Sequence, residues 1–340
     1  MQYDQSVLTR TEKRIFALRT LYSKAGYRSY RMRKFEDYDL YSRNKDFLLS
    51  DRVITFTDTN GKLKALKPDV TLSIVRNIDD KPDGLQRLFY DENVYRVSDR
   101  TNTFREIMQM GLECIGAANN PSVTEVIDLA EQSLALVAED HDYILRVSDI
   151  DILTLIVDGL SDNKYVRSDL LKLAGEKNLH EIRRLCDDNE IPEEKYGVLL
   201  RLLGLYGKPE DVVLQVREIC RGTEAEAESG ELEDVLLYFM NSESGRGRHI
   251  VLDFSIIGDT NYYNGVALEG YIDGLPECVL VGGRYDKLMQ RMKKKSRAIG
   301  FAVYLDNLGM LGRTAGDDAI ESFFSSTAEE MDQRKQQQDQ

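Results

Sequence analysis

Residues 86–116, QRLFYDENVYRVSDRTNTFREIMQMGLECIG, constrain this chain more than any other stretch. Two strand-length halves flank Ser98-Asp99-Arg100-Thr101-Asn102-Thr103, a polar segment with turn character. The pattern predicts an antiparallel pair. In the second half Ile107, Gln109, Gly111, Glu113 and Ile115 share one parity and therefore one face. Gln109 and Glu113 then stand on either side of Gly111. A glycine inside a strand marks a place where a ligand or another backbone comes close. An amide and a carboxylate beside it offer oxygen acceptors to an ammonium or an imidazole N–H. On periodicity alone an ordinary half-exposed sheet face accounts for the same pattern.

The rest of the chain supplies the partners of this hairpin. Residues 9–25 read as a helix, with Thr9 or Thr11 as cap and Gly26 as stop. Residues 27–41, aromatic and basic, read as a strand and a loop that can serve an oligomer contact. Residues 53–57 and 63–66 form a hairpin around Asp58-Thr59-Asn60-Gly61. After it Pro68 breaks the strand, and Asp69 or Thr71 can cap a helix over residues 72–77. A helix cap and a ligand contact are equally open readings for Asp69. A helix follows Pro121, then a strand over 143–147 and an apolar helix over 152–160.

From residue 161 the pattern changes to successive amphipathic helices, and strand signals return only at His249. Tyr262-Tyr263-Asn264-Gly265 opens one late strand. The strand over 277–281 ends in Gly282-Gly283-Arg284-Tyr285-Asp286, which reads as a Gly-Gly turn close to a ligand. Residues 298–310 read as a strand running into a helix, with Gly300 at the crossing. The chain therefore divides into a core of 1–160 and 246–315, a helical insertion over 161–245 and a polar tail over 316–340. Several hairpins with helices added in blocks predict an α+β fold.

Composition narrows the function classes. A formal charge of -14 argues against a broad nucleic-acid footprint. The four cysteines have no paired spacing and the three histidines no metal-ligand pattern, so a reduced, cytoplasmic protein without a metal site is expected. No apolar run reaches membrane-spanning length. Neither GxGxxG nor GxxxxGK[ST] occurs, so no nucleotide cofactor is expected on such a loop.

Taken in order, these segments resemble the catalytic core of the histidyl-tRNA synthetase family. Lys67-Pro68-Asp69-Val70-Thr71 is similar to that family's Arg-Pro-Glu-Gly-Thr, Tyr95-Arg96 to the Phe-Arg of motif 2, and Gln109, Gly111 and Glu113 to its histidine-contacting strand. Tyr262-Tyr263-Asn264-Gly265, Gly282-Gly283-Arg284-Tyr285-Asp286 and Gly300-Phe301-Ala302 match further signatures. The resemblance implies a class II synthetase-like antiparallel sheet of about six strands with flanking helices, and a dimer. It implies a histidine pocket built from Asp69, Thr71, Arg96, Gln109, Glu113, Tyr262, Tyr263, Gly282 and Gly283.

The departures are as informative. Asp306 and Asn307 stand where the synthetases have Glu-Arg, a position near Gly258 lacks their activating Arg, and Ser98 replaces an acidic residue. Without those guanidinium groups the charge of a polyphosphate is not neutralised. The chain also ends soon after motif 3, which implies no anticodon-binding domain. This combination resembles the non-catalytic branch of the family, the regulatory subunits of ATP phosphoribosyltransferase. It implies a hetero-oligomer with the short-form catalytic subunit, a requirement for the first step of histidine biosynthesis, and feedback inhibition by L-histidine. An active adenylating enzyme and a scaffold with a vestigial pocket are the alternatives.

Overall fold

The computed structural model describes residues 7–48, 52–80, 84–97, 102–116, 120–242, 245–257 and 262–311. Ser98, Gly258 and the tail over 316–340 lie outside them. The first helix, α1 (Arg10–Lys24), is capped by Thr9, whose hydroxyl and backbone N–H exchange hydrogen bonds with Glu12 as a capping box. Then come β1 (Arg28–Ser29), β2 (Phe35–Asp37), α2 (Tyr38–Ser42), β3 (Thr55–Thr57), β4 (Leu63–Leu66) and α3 (Thr71–Asn77). The long hairpin is β5 (Gln86–Val97) and β6 (Phe104–Gly116). After it run α4 (Asn120–Ala138), β7 (Tyr143–Asp149) and α5 (Ile150–Asp158). The helical stretch holds α6 (Lys164–Gly175), α7 (Leu179–Asp188), α8 (Glu193–Leu203), the two-residue β8 (Tyr206–Gly207), α9 (Pro209–Cys220) and α10 (Glu226–Met240). The last part is β9 (Ile250–Asp253), β10 (Asn264–Ile272), β11 (Leu280–Arg284), α11 (Asp286–Arg291), β12 (Arg297–Tyr304) and a 3-10 turn over Asp306–Met310.

The main sheet has nine strands in the order β1-β5-β6-β12-β11-β10-β7-β9-β8. Its centre, from β5 to β7, is antiparallel throughout. Parallel joins at β1–β5 and β7–β9 extend it on both sides. The fold is α+β as expected, with a broader, mixed sheet. A small second sheet, β2-β4-β3, carries the early hairpin.

Strand alternation sorts the side chains to two cores. Phe89, Met110, Leu112 and Cys114 face α1 and α4, and the buried hydrophobic residues of α5 to α10, apart from Ile150, belong to the same cluster. Leu88, Tyr90, Val94 and Ile115 face the other way, packing with Tyr41, Leu72, Ile74 and Tyr285. α1 and α4 thus cover one face of the sheet, with the helical stretch packed on α4, α5 and the β8–β9 end, while α3 and the small sheet cover the other. Lys177, just past α6, ties the helical stretch to β9 through Asp253, which also binds Arg146 of β7 at 2.7 Å.

Three local expectations are corrected. Residues 38–42 form a helical turn rather than strand or loop, which lets the adjacent Leu40 and Tyr41 both turn into the core. Gly282 and Gly283 lie inside β11 and not in a turn, because neighbouring atoms fill the space that side chains there would need. Gly300 likewise sits within β12, and the chain after β12 forms a 3-10 turn rather than an α-helix.

Lys67, 1% exposed, fixes the segment that leads into α3. Its Nζ pairs with Glu92 of β5, its carbonyl accepts from Tyr95 N–H at 2.9 Å, and Glu92 also accepts from Met32 N–H at 3.1 Å. Removing one partner of a buried pair leaves the other charge uncompensated. Lys67→Met is therefore expected to lower unfolding free energy by about 3 kcal/mol, read from urea midpoints. Pairing it with Glu92→Gln should cost less than the sum of the two single changes.

Candidate functional site

On the face opposite α4 the sheet encloses a cavity of about 60 Å³. Its walls come from α3 and the segment before it (Asp69, Thr71), β5 (Tyr90, Arg96), β6 (Gln109, Glu113), the Tyr262–Tyr263 pair, Val281, Tyr285 and β12 up to Tyr304, together with Phe47. The hairpin parity read from the sequence holds: Gln109 and Glu113, 3% and 2% exposed, both face the cavity.

Glu113 is the most constrained of these groups. Oε1 accepts from the Thr71 hydroxyl at 2.7 Å and Oε2 from the Tyr285 hydroxyl at 2.6 Å. Burial pushes its carboxyl up to about 8, against the two hydroxyl bonds, which favour the ionised form. Nearby Asp69 is also raised, first by burial, while the Leu72 N–H and the Arg96 guanidinium oppose the rise. Its Oδ1 accepts from Leu72 N–H at 2.8 Å, so Asp69 both caps α3 and lines the cavity. Arg96 is anchored by its Nε, which donates to the Pro68 carbonyl at 2.9 Å. Tyr262 and Tyr263 pack with ring centroids 4.6 Å apart, and Tyr262 also meets Phe47 and Tyr285. Burial raises the phenols of Tyr90, Tyr262, Tyr263 and Tyr285 well above their ordinary range, so they are neutral hydrogen-bonding groups here.

The cavity brings together Asp69, Thr71, Arg96, Gln109, Glu113, Tyr262 and Tyr263. Gly282 and Gly283 do not line it. The wall at that strand is Val281, and Gly283 instead backs the ring of Tyr263. The sequence reading missed Tyr90, Tyr285, Tyr304 and Phe47. Tyr285 lay inside the Gly-Gly-Arg-Tyr-Asp segment and Tyr90 opposite Gly111, so a bulky residue in register with a strand glycine was the available signal.

Of the positions that depart from the synthetase pattern, the two among the described residues, Asp306 and Asn307, make backbone contacts. Asp306 Oδ2 accepts from Met108 N–H at 2.9 Å, and Asn307 Nδ2 donates to the Cys278 carbonyl at 3.2 Å. Together they tie the end of β12 to β6 and to the approach to β11. Among the described residues no group of three or more His, Cys, Asp or Glu side chains is arranged to hold a metal ion. Nor is any helix there long and apolar enough to cross a membrane. His249 stacks on Tyr143 with centroids 4.2 Å apart, a packing role.

A profile of the histidyl-tRNA synthetase family matches residues 5–308. The ATP phosphoribosyltransferase regulatory subunit of Caldanaerobacter subterraneus is 30% identical over 295 residues, 85% of this chain and 75% of the relative. The protein of the same name from Thermoanaerobacter pseudethanolicus is 29% identical, with the same coverage of each. Among solved structures, an ATP phosphoribosyltransferase regulatory subunit/histidyl-tRNA synthetase from Bacillus halodurans superposes with a TM-score of 0.77 at 21% identity, covering 92% of this chain and 85% of that one. A chain of an ATP phosphoribosyl transferase (HisG:HisZ) complex from Thermotoga maritima gives 0.66 at 16%, covering 88% and 98%. At such identities the solved structures speak to the fold alone.

Glu113 should make stability depend on pH. Between the unfolded value near 4.5 and the folded value of about 8, the folded chain keeps a proton that the unfolded chain has released. Stability therefore falls as pH rises through this window, by up to about 1.4 kcal/mol per pH unit from this group. Glu113→Gln mimics the protonated form and should lack that component. Urea midpoints from pH 5 to 9 are expected to diverge in favour of the variant as pH rises, levelling above about 8. A difference independent of pH would contradict the assignment.

Proposed function

The chain belongs to the histidyl-tRNA synthetase family, and we propose that within it the chain is the regulatory subunit of ATP phosphoribosyltransferase, required for the first step of histidine biosynthesis and sensitive to L-histidine. The observation that carries this reading is a contrast within one sheet. The cavity gathers seven of the nine residues expected of an amino-acid pocket, with Glu113 held by two hydroxyls. The motif 3 position that needs a guanidinium for adenylation is Asn307, whose amide is engaged with the Cys278 carbonyl. The names of the curated relatives support the regulatory role.

In this reading L-histidine enters the cavity as the ligand. Glu113 accepts from the imidazole N–H, and Asp69, Thr71 and Gln109 surround the α-ammonium. Two buried acids whose carboxyls are raised by burial favour a cationic ligand, because a nearby positive charge stabilises the ionised form. Arg96 takes the carboxylate in a charge-assisted bond. Tyr262 and Tyr263 pack on the ring. The partner is the short-form catalytic subunit, and the chain itself acts without catalysing a reaction or holding a cofactor. It works as a dimer within the hetero-oligomer, with residues 161–245 as an insertion in the core. Free thiols at all four cysteines support a reducing, cytoplasmic setting.

The test is reconstitution. This chain and the short-form transferase are purified separately, and phosphoribosyl-ATP formation is followed with each alone, with both, and with added L-histidine. Activity is expected only in the mixture and should fall as histidine is added. Histidine binding measured by calorimetry should weaken roughly 10- to 100-fold in Glu113→Ala, the loss expected for a hydrogen bond to a charged group. Activation that ignores histidine would select the scaffold reading. Histidine-dependent exchange of pyrophosphate into ATP would restore the synthetase reading, which the retained Arg96 favours.

A further inference from the structure

Three large side chains of the cavity lie flat across glycines of a neighbouring strand. Tyr90 of β5 covers Gly111 of β6, where an added Cβ would come within 2.6 Å of the phenol oxygen. Tyr263 covers Gly283 of β11, where a Cβ would meet the ring at 2.8 Å. Glu113 of β6 covers Gly300 of β12, where a Cβ would stand 2.8 Å from Cδ and closer still to Oε2. Gly300 and Glu113 are direct register partners. The strand order is β6-β12-β11, and Tyr285 follows β11. Glu113 therefore has to cross β12 to reach the Tyr285 hydroxyl, and it crosses at the one residue there without a side chain.

We propose that Tyr285 and Gly300 are positioning residues for the pocket: the gap at Gly300 lets the Glu113 carboxylate lie across β12, and the Tyr285 hydroxyl fixes it there, aimed at the ring N–H of the ligand. The inference rests on the histidine-sensing reading for its ligand, but its geometric part can be tested without any ligand. A carboxylate directed by a fixed donor keeps its remaining lone pairs in set directions, which is what selects a planar N–H over a flexible one. Without the crossing, Glu113 would stand up from β6 into the cavity and occupy the space the ligand needs.

Tyr285→Phe is the first variant, since it deletes one oxygen and keeps the ring. Two readouts apply. Calorimetry with L-histidine should give about a tenfold weaker Kd, the value of one hydrogen bond to a charged acceptor. The carboxyl resonance of Glu113, followed by carbon NMR in the ligand-free protein, should titrate at higher pH than in the parent, because the phenol hydroxyl favours the ionised form. Packing alone would leave that resonance unmoved. Gly300→Ala should also abolish histidine binding, since a Cβ there meets both Glu113 and the Leu112 carbonyl. If Tyr285→Phe changes neither readout, the inference is overturned whether or not Gly300→Ala folds. If the parent binds no histidine but the Glu113 titration moves in Tyr285→Phe, the sensing reading fails and the positioning role stands.

Discussion

A carboxyl group buried in a sheet is the constraint on which this structure turns. Glu113 is 2% exposed, and among the described residues its carboxyl is hydrogen-bonded to two hydroxyls. Ionisation in such a place is costly unless every lone pair finds a donor. Thr71 and Tyr285 supply two donors from opposite sides of the pocket, and burial still wins, holding the group protonated to about pH 8. A ligand that brings N–H donors and positive charge changes that balance, so binding and ionisation of Glu113 are linked.

Everything that touches Glu113 comes from a different element, and the fold fixes each one separately. Thr71 begins α3, and the segment before it is pinned to β5 by buried Lys67 and by the Arg96 bond to Pro68. Tyr285 begins the turn into α11, where Asp286 accepts from Ala298 N–H at 2.9 Å and from Arg284 Nε at 2.7 Å. Those bonds hold the ends of β11 and β12 together next to the tyrosine. The helical stretch packs on the other face of the same sheet. The strands that carry Glu113 and Gly300 are themselves backed by α1 and α4, and the helical stretch reaches the sheet at β8 and β9.

Local pattern revealed the hairpin and its parity, because both depend on residues close in sequence. Gln109 and Glu113 were legible for that reason, as was the first helix, for which Thr9 was one of two candidate caps. Tyr285 and Gly300 were not legible as partners of Glu113. They lie far along the chain, and only the β6-β12-β11 order brings them together. The Gly-Gly pair was misread as a turn because glycine serves turns and crowded strands alike, and sequence does not distinguish the two. Asp69 offered a choice between cap and ligand contact, and the geometry allows both, since one oxygen binds Leu72 N–H while the group still faces the cavity.

The same geometry limits how a bound ligand could signal. A carboxylate has about four acceptor positions, and the Thr71 and Tyr285 bonds take one on each oxygen. A ring N–H can therefore be accommodated without breaking either internal bond. Occupancy then need not shift α3 or α11 by competing for Glu113. An effector acts only through a difference in its affinity for two arrangements. In this pocket that difference has to come from groups with more freedom than Glu113, and Arg96 is the clearest. Its guanidinium is anchored through Nε, and its chain position is the penultimate described residue of β5 before the motif 2 loop. A ligand carboxylate that drew the guanidinium inward would pull on the Pro68 carbonyl and on the end of the hairpin together. In the proposed histidine-sensing reading, recognition of the ring would then rest on Glu113 and transmission of occupancy on Arg96, two separable tasks.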